Sequence, residues 1–332
     1  MSKTILIAGG YGLVGSHIAR HLRRLMPDAE LIIAGRNPDK AADLVTELGN
    51  ARALGLETAQ PEESLAGTGK VDALIAALQD PEDRMLTYAL RNGIAHLSIT
   101  RSVMDMAGFV AHVAHAQPTA PVVPTAHWQA GIQTLAAVDL AAGFAMVDTI
   151  ALSALFDMAD PIGPMTVEDA GHFFGKALLM RDGHWTWVDP DEEATSITIG
   201  AETFDARPMS NLDTVSLRSA TGARNVTFHL GMGTSRGTHA GGAASHDMKI
   251  LIHGQNAAGK DMRRTRIVSD PRGQAQLTAT GAALAVQRTV GGDGAPAPAG
   301  GLHMPETILD ASTVMHRLQA EFGIVVEDQS DG

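Results

Sequence analysis

The stretch TILIAGGYGLVGSHIARHL, residues 4–22, constrains the fold of this chain more than any other. A short apolar run leads into Gly9, Gly10, Gly12 and Gly15, and a helical pattern follows. Glycine is entropically unfavourable at the entry to a helix, so its concentration there points to places where a Cβ would not fit. In Gly10-x-Gly12-x-x-Gly15 the first glycine allows a tight turn. The second lets backbone approach a pyrophosphate, and the third lets helix and strand pack closely. The pyrophosphate then lies on free N–H groups at the positive end of the helix. Gly9, Gly10, Tyr11, Gly12, Leu13, Val14 and Gly15 are therefore expected to contact a dinucleotide. The other reading is a glycine-rich structural turn with no ligand.

The flanking sequence supplies the context. TILIAG (4–9), AELIIAG (29–35), ARALGLE (51–57), VDALIAAL (71–78), IAHLSIT (94–100) and APVVPTA (120–126) read as strands. Helical spacing falls between them, over 13–25, 37–48, about 81–92 and about 104–116. Repeated units of this kind form a parallel sheet with helices on both faces, an α/β Rossmann doubly wound fold. After a helix predicted over 129–143 the pattern changes. Runs such as DTIALSALFD, TSITIG, RNVTFHLGM, MKILIHGQN and RRTRIVSD alternate like half-exposed antiparallel strands. Helical spacing returns near 273–290, a Gly/Pro/Ala loop spans 291–301, and a last helix runs over about 306–322. The tail EDQSDG is expected to be disordered. The expected division is 1–127 as the nucleotide-binding domain and 128–302 as an α+β domain on a mostly antiparallel sheet. Residues 303–332 are the C-terminal helix and tail.

The end of the second strand decides which dinucleotide. An NAD-preferring site has an Asp or Glu there, bonding the ribose 2′-OH. Here the segment reads AGRNPDK, with Gly35, Arg36 and Asn37 in place of an acid and Lys40 beyond. A guanidinium can pair with a 2′-phosphate through its planar fork. NADP is therefore the expected cofactor, with NAD possible if Arg36 only stacks on the adenine. Ala77, Leu78 and Gln79, at the end of the fourth strand, are expected to line the ribose and nicotinamide path, because ligands bind at strand carboxyl ends in open α/β sheets.

Composition removes several classes. The chain has 332 residues and a net charge of −12, which disfavours nucleic acid and anionic membranes as partners. It has no cysteine, which excludes disulfides, thiolate metal sites and a cysteine nucleophile and suits a reducing cytoplasm. No signal peptide or long apolar span is evident. Short-chain dehydrogenases need Tyr-x-x-x-Lys, but Tyr88 is followed at that spacing by Asn92, and Tyr11 lies in the glycine loop. A zinc dehydrogenase is disfavoured by the lack of cysteine. His112 and His115 share a predicted helix face without an acidic partner, so no metal is expected.

Beyond these motifs, the chain resembles the saccharopine dehydrogenase-like oxidoreductases of the saccharopine reductase type. The resemblance rests on the glycine stretch with LIIAGRNPDKAADLV, on VDALIAALQDPEDRMLTYALRNGIAHLSIT, and on AGIQTLAAVDLA. It continues in FGKALLMRDGHWTWVDP and GGLHMPETILDASTVMHRLQAEFGIVV. It implies a Rossmann domain, a middle substrate and dimerisation domain, a C-terminal helix returning to the first domain, and a homodimer. It also implies hydride transfer between NAD(P)H and an imine carbon. The chain departs from the family at His96, Ser98 and Thr100, where the family has Tyr-x-Asp, and at Ala130-Gly131, where it has Pro-Gly.

A carbonyl or neutral imine needs a proton donor within hydrogen-bond reach. In VVPTAHWQAG (122–131), His127 is the first candidate, with Trp128 as a pocket wall and Gln129 as a polar contact; the alternative is a capping or packing role. His172 is the second candidate donor, with Lys176 one helical turn later. Arg101 is a candidate clamp for a substrate carboxylate. The expected function is an NADP(H)-dependent oxidoreductase acting on an imine or carbonyl of a small molecule. The alternative is a nucleotide-binding regulator without turnover.

Overall fold

A computed structural model of the chain describes residues 2–101, 103–163 and 175–330. The chain divides into two compact units, Met1–Ala126 with Thr278–Ile308, and His127–Leu277 with Leu309–Gly332.

In the first unit the strands, numbered along the chain, are β1 (Thr4–Ala8), β2 (Glu30–Gly35), β3 (Ala51–Gly55), β4 (Ala73–Ala76), β5 (Ala95–Ser98), β6 (Pro121–Pro124) and β15 (Gly301–Leu302). They pair in the order β15-β6-β5-β4-β1-β2-β3, every neighbour parallel. The run β3-β2-β1-β4-β5-β6 is the doubly wound order, with the chain reversing direction across the sheet between β1 and β4. Helices cover both faces of such a sheet, which is why β1, β2 and β4 are continuous apolar runs and not alternating ones. Leu6 is in register with Ile32 and Leu74, and all three are fully buried. Helix Leu13–Leu25 buries Gly15, Ile18, Ala19, His21 and Leu22, one stripe at helical spacing, and ends in Arg23 and Arg24, which suit the negative helix terminus. Helix Arg84–Asn92 begins later than its spacing predicts. The Asp80 carboxylate accepts the N–H groups of Arg84, Met85 and Leu86, and so sets where the helix starts.

The second unit holds β7 (Met146–Phe156), β8 (Ala177–Arg181), β9 (His184–Val188), β10 (Thr195–Ile199), β11 (Glu202–Pro208), β12 (Asn225–Met232), β13 (His246–Gln255), β14 (Asp261–Asp270) and β16 (Val325–Ser330). The order is β10-β11-β12-β7-β13-β14-β16, with β8 on β12 and β9 on β8. Only β7 and β12 pair in parallel, so the sheet is mixed and mostly antiparallel, as expected. Ile150, Leu152, Ile250 and Ile252 alternate along β7 and β13 and are fully buried beneath helix Ile132–Ala141.

Three expectations need correction. The helix Ala311–Phe322 belongs to the second unit, where it packs on Ile132–Ala141. Residues 278–308 belong to the first, where Gly301–Leu302 extends the parallel edge beside β6 and Gln287 donates to the Leu25 carbonyl. The tail is not disordered as far as Ser330. It forms β16, because Arg266 on β14 is buried and takes both carboxylate oxygens of Asp328, at 2.6 and 2.9 Å. Among the described residues no helix is long and apolar enough to cross a membrane.

Candidate functional site

The glycine loop connects β1 to the helix Leu13–Leu25 at the carboxyl end of the sheet, and its crowding separates what the fold needs from what it does not. Gly9 has φ +77°, and a Cβ there would stand 2.7 Å from the Ala77 carbonyl oxygen in the loop after β4. A Cβ on Gly10 would meet the Ile7 oxygen at 2.8 Å. On Gly15 it would lie 2.2 Å from the Gly9 oxygen, inside the backbone of the turn. Gly12 differs. It is exposed, its φ of −71° suits any residue, and its nearest obstacle is the Gly9 oxygen at 3.1 Å. The fold places only a mild demand on this glycine, so its missing side chain leaves open surface in front of the helix. No side chain caps that helix and no acidic residue stands in its first turn. The N–H groups of a first helical turn have no partner within the helix. The N–H groups of Gly9 and Gly10 donate to the Ala34 carbonyl, and that of Gly12 to the Gly9 carbonyl. The donors left uncapped are therefore those of the first helical turn. Together with the positive dipole and the bare backbone of Gly12 they make the surface a pyrophosphate requires.

At the end of β2, Gly35 is buried while Arg36, Asn37 and Lys40 are exposed. The Tyr11 ring leans on Gly35, where a Cβ would lie 2.5 Å from its Cε1, and the Asn37 N–H donates to Tyr11 Oη at 3.0 Å. Ala77 is buried; Leu78 and Gln79 are half-buried beside it. The structure thus brings the cofactor candidates from the glycine loop and the β2 and β4 ends to one edge of one sheet.

The other candidates are placed differently. Arg101 is not an open clamp. Its side chain is 7% exposed, pairs with Asp83, donates to Ser98 Oγ at 3.3 Å and lies 4.3 Å over the Phe109 ring. Asp83 also has His112 Nδ1 at 3.8 Å. A substrate carboxylate would have to displace Asp83. His96 on β5 is fully buried, its two ring nitrogens lack hydrogen-bond partners, and burial, with the Arg101 charge, lowers its pKa to about 3.

In the second unit His127 is buried, with Nε2 2.8 Å from Ser216 Oγ. Burial lowers its pKa to about 3, so it is neutral at ordinary pH. This speaks against His127 as an imidazolium donor and for a packing role. Residues 129–131 do not form the regular helix that the spacing predicts. Gln129 (φ 53°), Ala130 (φ 52°) and Gly131 (φ 94°) form a left-handed turn, and the helix begins at Ile132. Two non-glycine residues in this region are strained by about 1 kcal/mol or more each. Buried bonds hold them there. The Trp128 N–H donates to Asp213 Oδ2 at 2.7 Å, and Thr134 Oγ1 donates to Asp213 Oδ1 at 2.6 Å. Trp128 Nε1 donates to His246 Nε2 at 3.0 Å, and Gln129 Nε2 lies 2.9 Å from the same atom. His246 Nε2 therefore accepts and its ring is neutral, with burial lowering its pKa to about 3. Gln129 is thereby bound into the fold. Lys176 is exposed and directly precedes β8. His172 lies outside the described residues.

Asp213, Ser216 and His246 were not anticipated. The first two lie on helix Leu212–Thr221, whose start was signalled by Asn211, which caps it by accepting the Thr214 N–H. Nothing local signals that His246, more than a hundred residues from Trp128, completes the network. Among the described residues no group of three His, Cys, Asp or Glu could hold a metal ion.

No protein-family model matches the sequence, and no curated protein sequence matches it. Solved structures do. An apo saccharopine dehydrogenase (L-Glu forming) from Saccharomyces cerevisiae is 13% identical, with a TM-score of 0.75 over 100% of each chain. A homospermidine synthase from Legionella pneumophila, in complex with NAD, is 10% identical, with a TM-score of 0.68 over 99% of this chain and 91% of that one. An amine dehydrogenase from Mycobacterium smegmatis is 12% identical, with a TM-score of 0.50 over 93% and 96%. At these identities the likeness is one of fold.

Proposed function

We propose that this chain is an NADP(H)-dependent oxidoreductase of saccharopine dehydrogenase-like type. It would transfer a hydride to or from an imine or carbonyl carbon of a small organic substrate. The observation that carries the reading is the glycine loop: Gly12 leaves an uncapped helix end open where a Cβ would ask the fold for a shift of only a few tenths of an ångström. Strand order and the uncapped donors fit a dinucleotide, and Arg36 at the place where an NAD-preferring site has an acid fits a 2′-phosphate. Structures of similar fold are named saccharopine dehydrogenase, homospermidine synthase and amine dehydrogenase, and the last name supports a C–N substrate by analogy of fold.

In this reading the N–H groups of the first helical turn, Leu13, Val14 and Gly15, hold the pyrophosphate, and Tyr11, Arg36 and Asn37 hold the adenosine ribose. Ala77, Leu78 and Gln79 border the nicotinamide side. When bound, the nicotinamide supplies or accepts the hydride. An iminium carbon is already electrophilic, which suits a site whose histidine candidate His127 is neutral and buried. Lys176 remains the candidate cation for a substrate carboxylate and Trp128 a candidate apolar wall; Arg101 and Gln129 act through the fold. The acidic, cysteine-free composition supports a cytoplasmic setting, and a homodimer is part of the proposal.

Arg36→Ala tests the cofactor assignment. The NADPH Kd is expected to rise about 10- to 100-fold, the worth of a charge-assisted pair, with NADH changed about twofold or less. Equal loss with both cofactors, in a fluorescence titration, would remove the phosphate role. The buried, neutral His127 also favours a second reading, a regulator that binds NADPH without turnover. Tight NADPH binding with no consumption across keto acids with amines, cyclic imines and ketones would establish it.

A further inference from the structure

Tyr11 stands between Gly10 and Gly12 in a loop where Gly9, Gly10 and Gly15 leave no room for side chains. Its ring does not project away from the protein. It reaches to the end of β2 and lies against Gly35 so closely that a Cβ there would be 2.7 Å from Tyr11 Oη. Gly35 is thus required by the tyrosine, not by its own backbone. The hydroxyl accepts the Asn37 N–H at 3.0 Å, which fixes Oη beside the one residue, Arg36, that lies between Gly35 and Asn37. A phenol that accepts through its lone pair still carries its own proton as a donor. Residues 35–37 carry no acid, and the nearest in sequence, Asp39, stands beside Lys40 in the turn that follows.

We infer that the Tyr11 hydroxyl is a specificity determinant for the phosphorylated ribose, donating to a 2′-phosphate that Arg36 neutralises. The inference rests on the NADP(H) reading above and names the residue that completes its 2′ subsite. A hydrogen bond to a phosphate dianion is stronger than one to a ribose hydroxyl, so the phenol favours NADPH over NADH. The loop and the end of β2 are then coupled: one side chain from the pyrophosphate turn also reads the 2′ substituent.

Tyr11→Phe keeps the ring on Gly35 and removes only the hydroxyl. The NADPH Kd is expected to rise about tenfold, with NADH changed about twofold or less. A packing role alone would weaken both cofactors alike. The Tyr11→Phe/Arg36→Ala double variant is expected to lose less than the product of the single losses, because both groups serve one phosphate. A measurement that keeps the Tyr11 hydroxyl runs in parallel. The chain has two tyrosines, so 3-fluorotyrosine labelling gives two ¹⁹F resonances, and Tyr88→Phe identifies the Tyr11 signal. Adenosine 2′,5′-bisphosphate is expected to shift that signal clearly more than 5′-AMP, which brings the ribose without the 2′-phosphate.

Wild-type affinity for NADPH with an unaffected Tyr11→Phe variant, or equal ¹⁹F shifts with both nucleotides, overturns this inference and leaves the NADP(H) reading standing. Failure of the wild type to bind NADPH, or a preference for NADH, overturns both.

Discussion

Gly12 and Gly15 lie three residues apart in one motif, yet they answer to different partners. A Cβ on Gly15 would press into the Gly9 carbonyl at 2.2 Å, while on Gly12 it would need a shift of a few tenths of an ångström. Gly15→Ala is therefore expected to lower stability by about 1–3 kcal/mol, the cost of overpacking, despite the better helix propensity of alanine. Gly12→Ala is expected to unfold within about 1 kcal/mol of the wild type and to lose NADPH affinity. Urea unfolding beside a cofactor titration checks the pair; the idea fails if Gly12→Ala is the less stable variant or binds NADPH normally. The glycine positions were legible in the sequence because the constraint is local: a turn, a helix entry and a missing Cβ. The roles of single charged or polar side chains were less legible. Arg101 read as an open cation, and only the fold shows that Asp83 and Phe109 hold it.

Among the elements, β16 shows how a tail becomes structure. Val325–Ser330 pairs antiparallel with β14, from Ser269 opposite Val325 to Arg264 opposite Ser330. Arg266 anchors it. Its side chain is 8% exposed and is shared between Asp139 Oδ2 at 2.6 Å, the Ala136 carbonyl at 3.1 Å and the two oxygens of Asp328. Asp328 is half-exposed, so Asp328→Ala is expected to cost about 1–2 kcal/mol and to free the amides of 325–329 to exchange. Asp139→Ala should cost more, since it leaves a buried guanidinium with only the half-exposed carboxylate. Hydrogen exchange read by mass spectrometry checks both, and unchanged protection of 325–329 in Asp328→Ala would refute the anchor. The polar composition of EDQSDG concealed this strand, because its pairing is backbone to backbone and its anchor is 62 residues away. The hairpin β8–β9 differs in having a local signal, an Asp182-Gly183 turn with φ 48° and 81° between two apolar runs.

Taken over the whole molecule, His96, His127 and His246 are each buried and lowered to about 3. Unfolded histidine titrates near 6.5, so the unfolded chain binds more protons between these values. Their contribution to stability is fully present above pH 6.5 and is lost as pH falls toward 3. Stability should decline below pH 6.5 by up to about 1.4 kcal/mol per pH unit for each histidine. His96→Leu, which removes a buried ring without hydrogen-bond partners, should flatten that decline by about a third. Urea midpoints measured from pH 7.5 to 4.5 test this, and a flat profile for the wild type would contradict it. The sequence by itself determined the parallel and mixed sheets, the glycine loop and the absence of an acid at the end of β2. Each follows from periodicity or backbone sterics within a few neighbouring residues. Only the tertiary structure decided that residues 278–308 complete the first unit and that the C-terminal helix and strand complete the second. It alone set His127 beside Ser216, 89 positions away, and Arg266 beside Asp139, 127 positions away. Such pairs form because burial leaves a polar group no water, and the partner that replaces water is chosen by packing, whatever its distance along the chain.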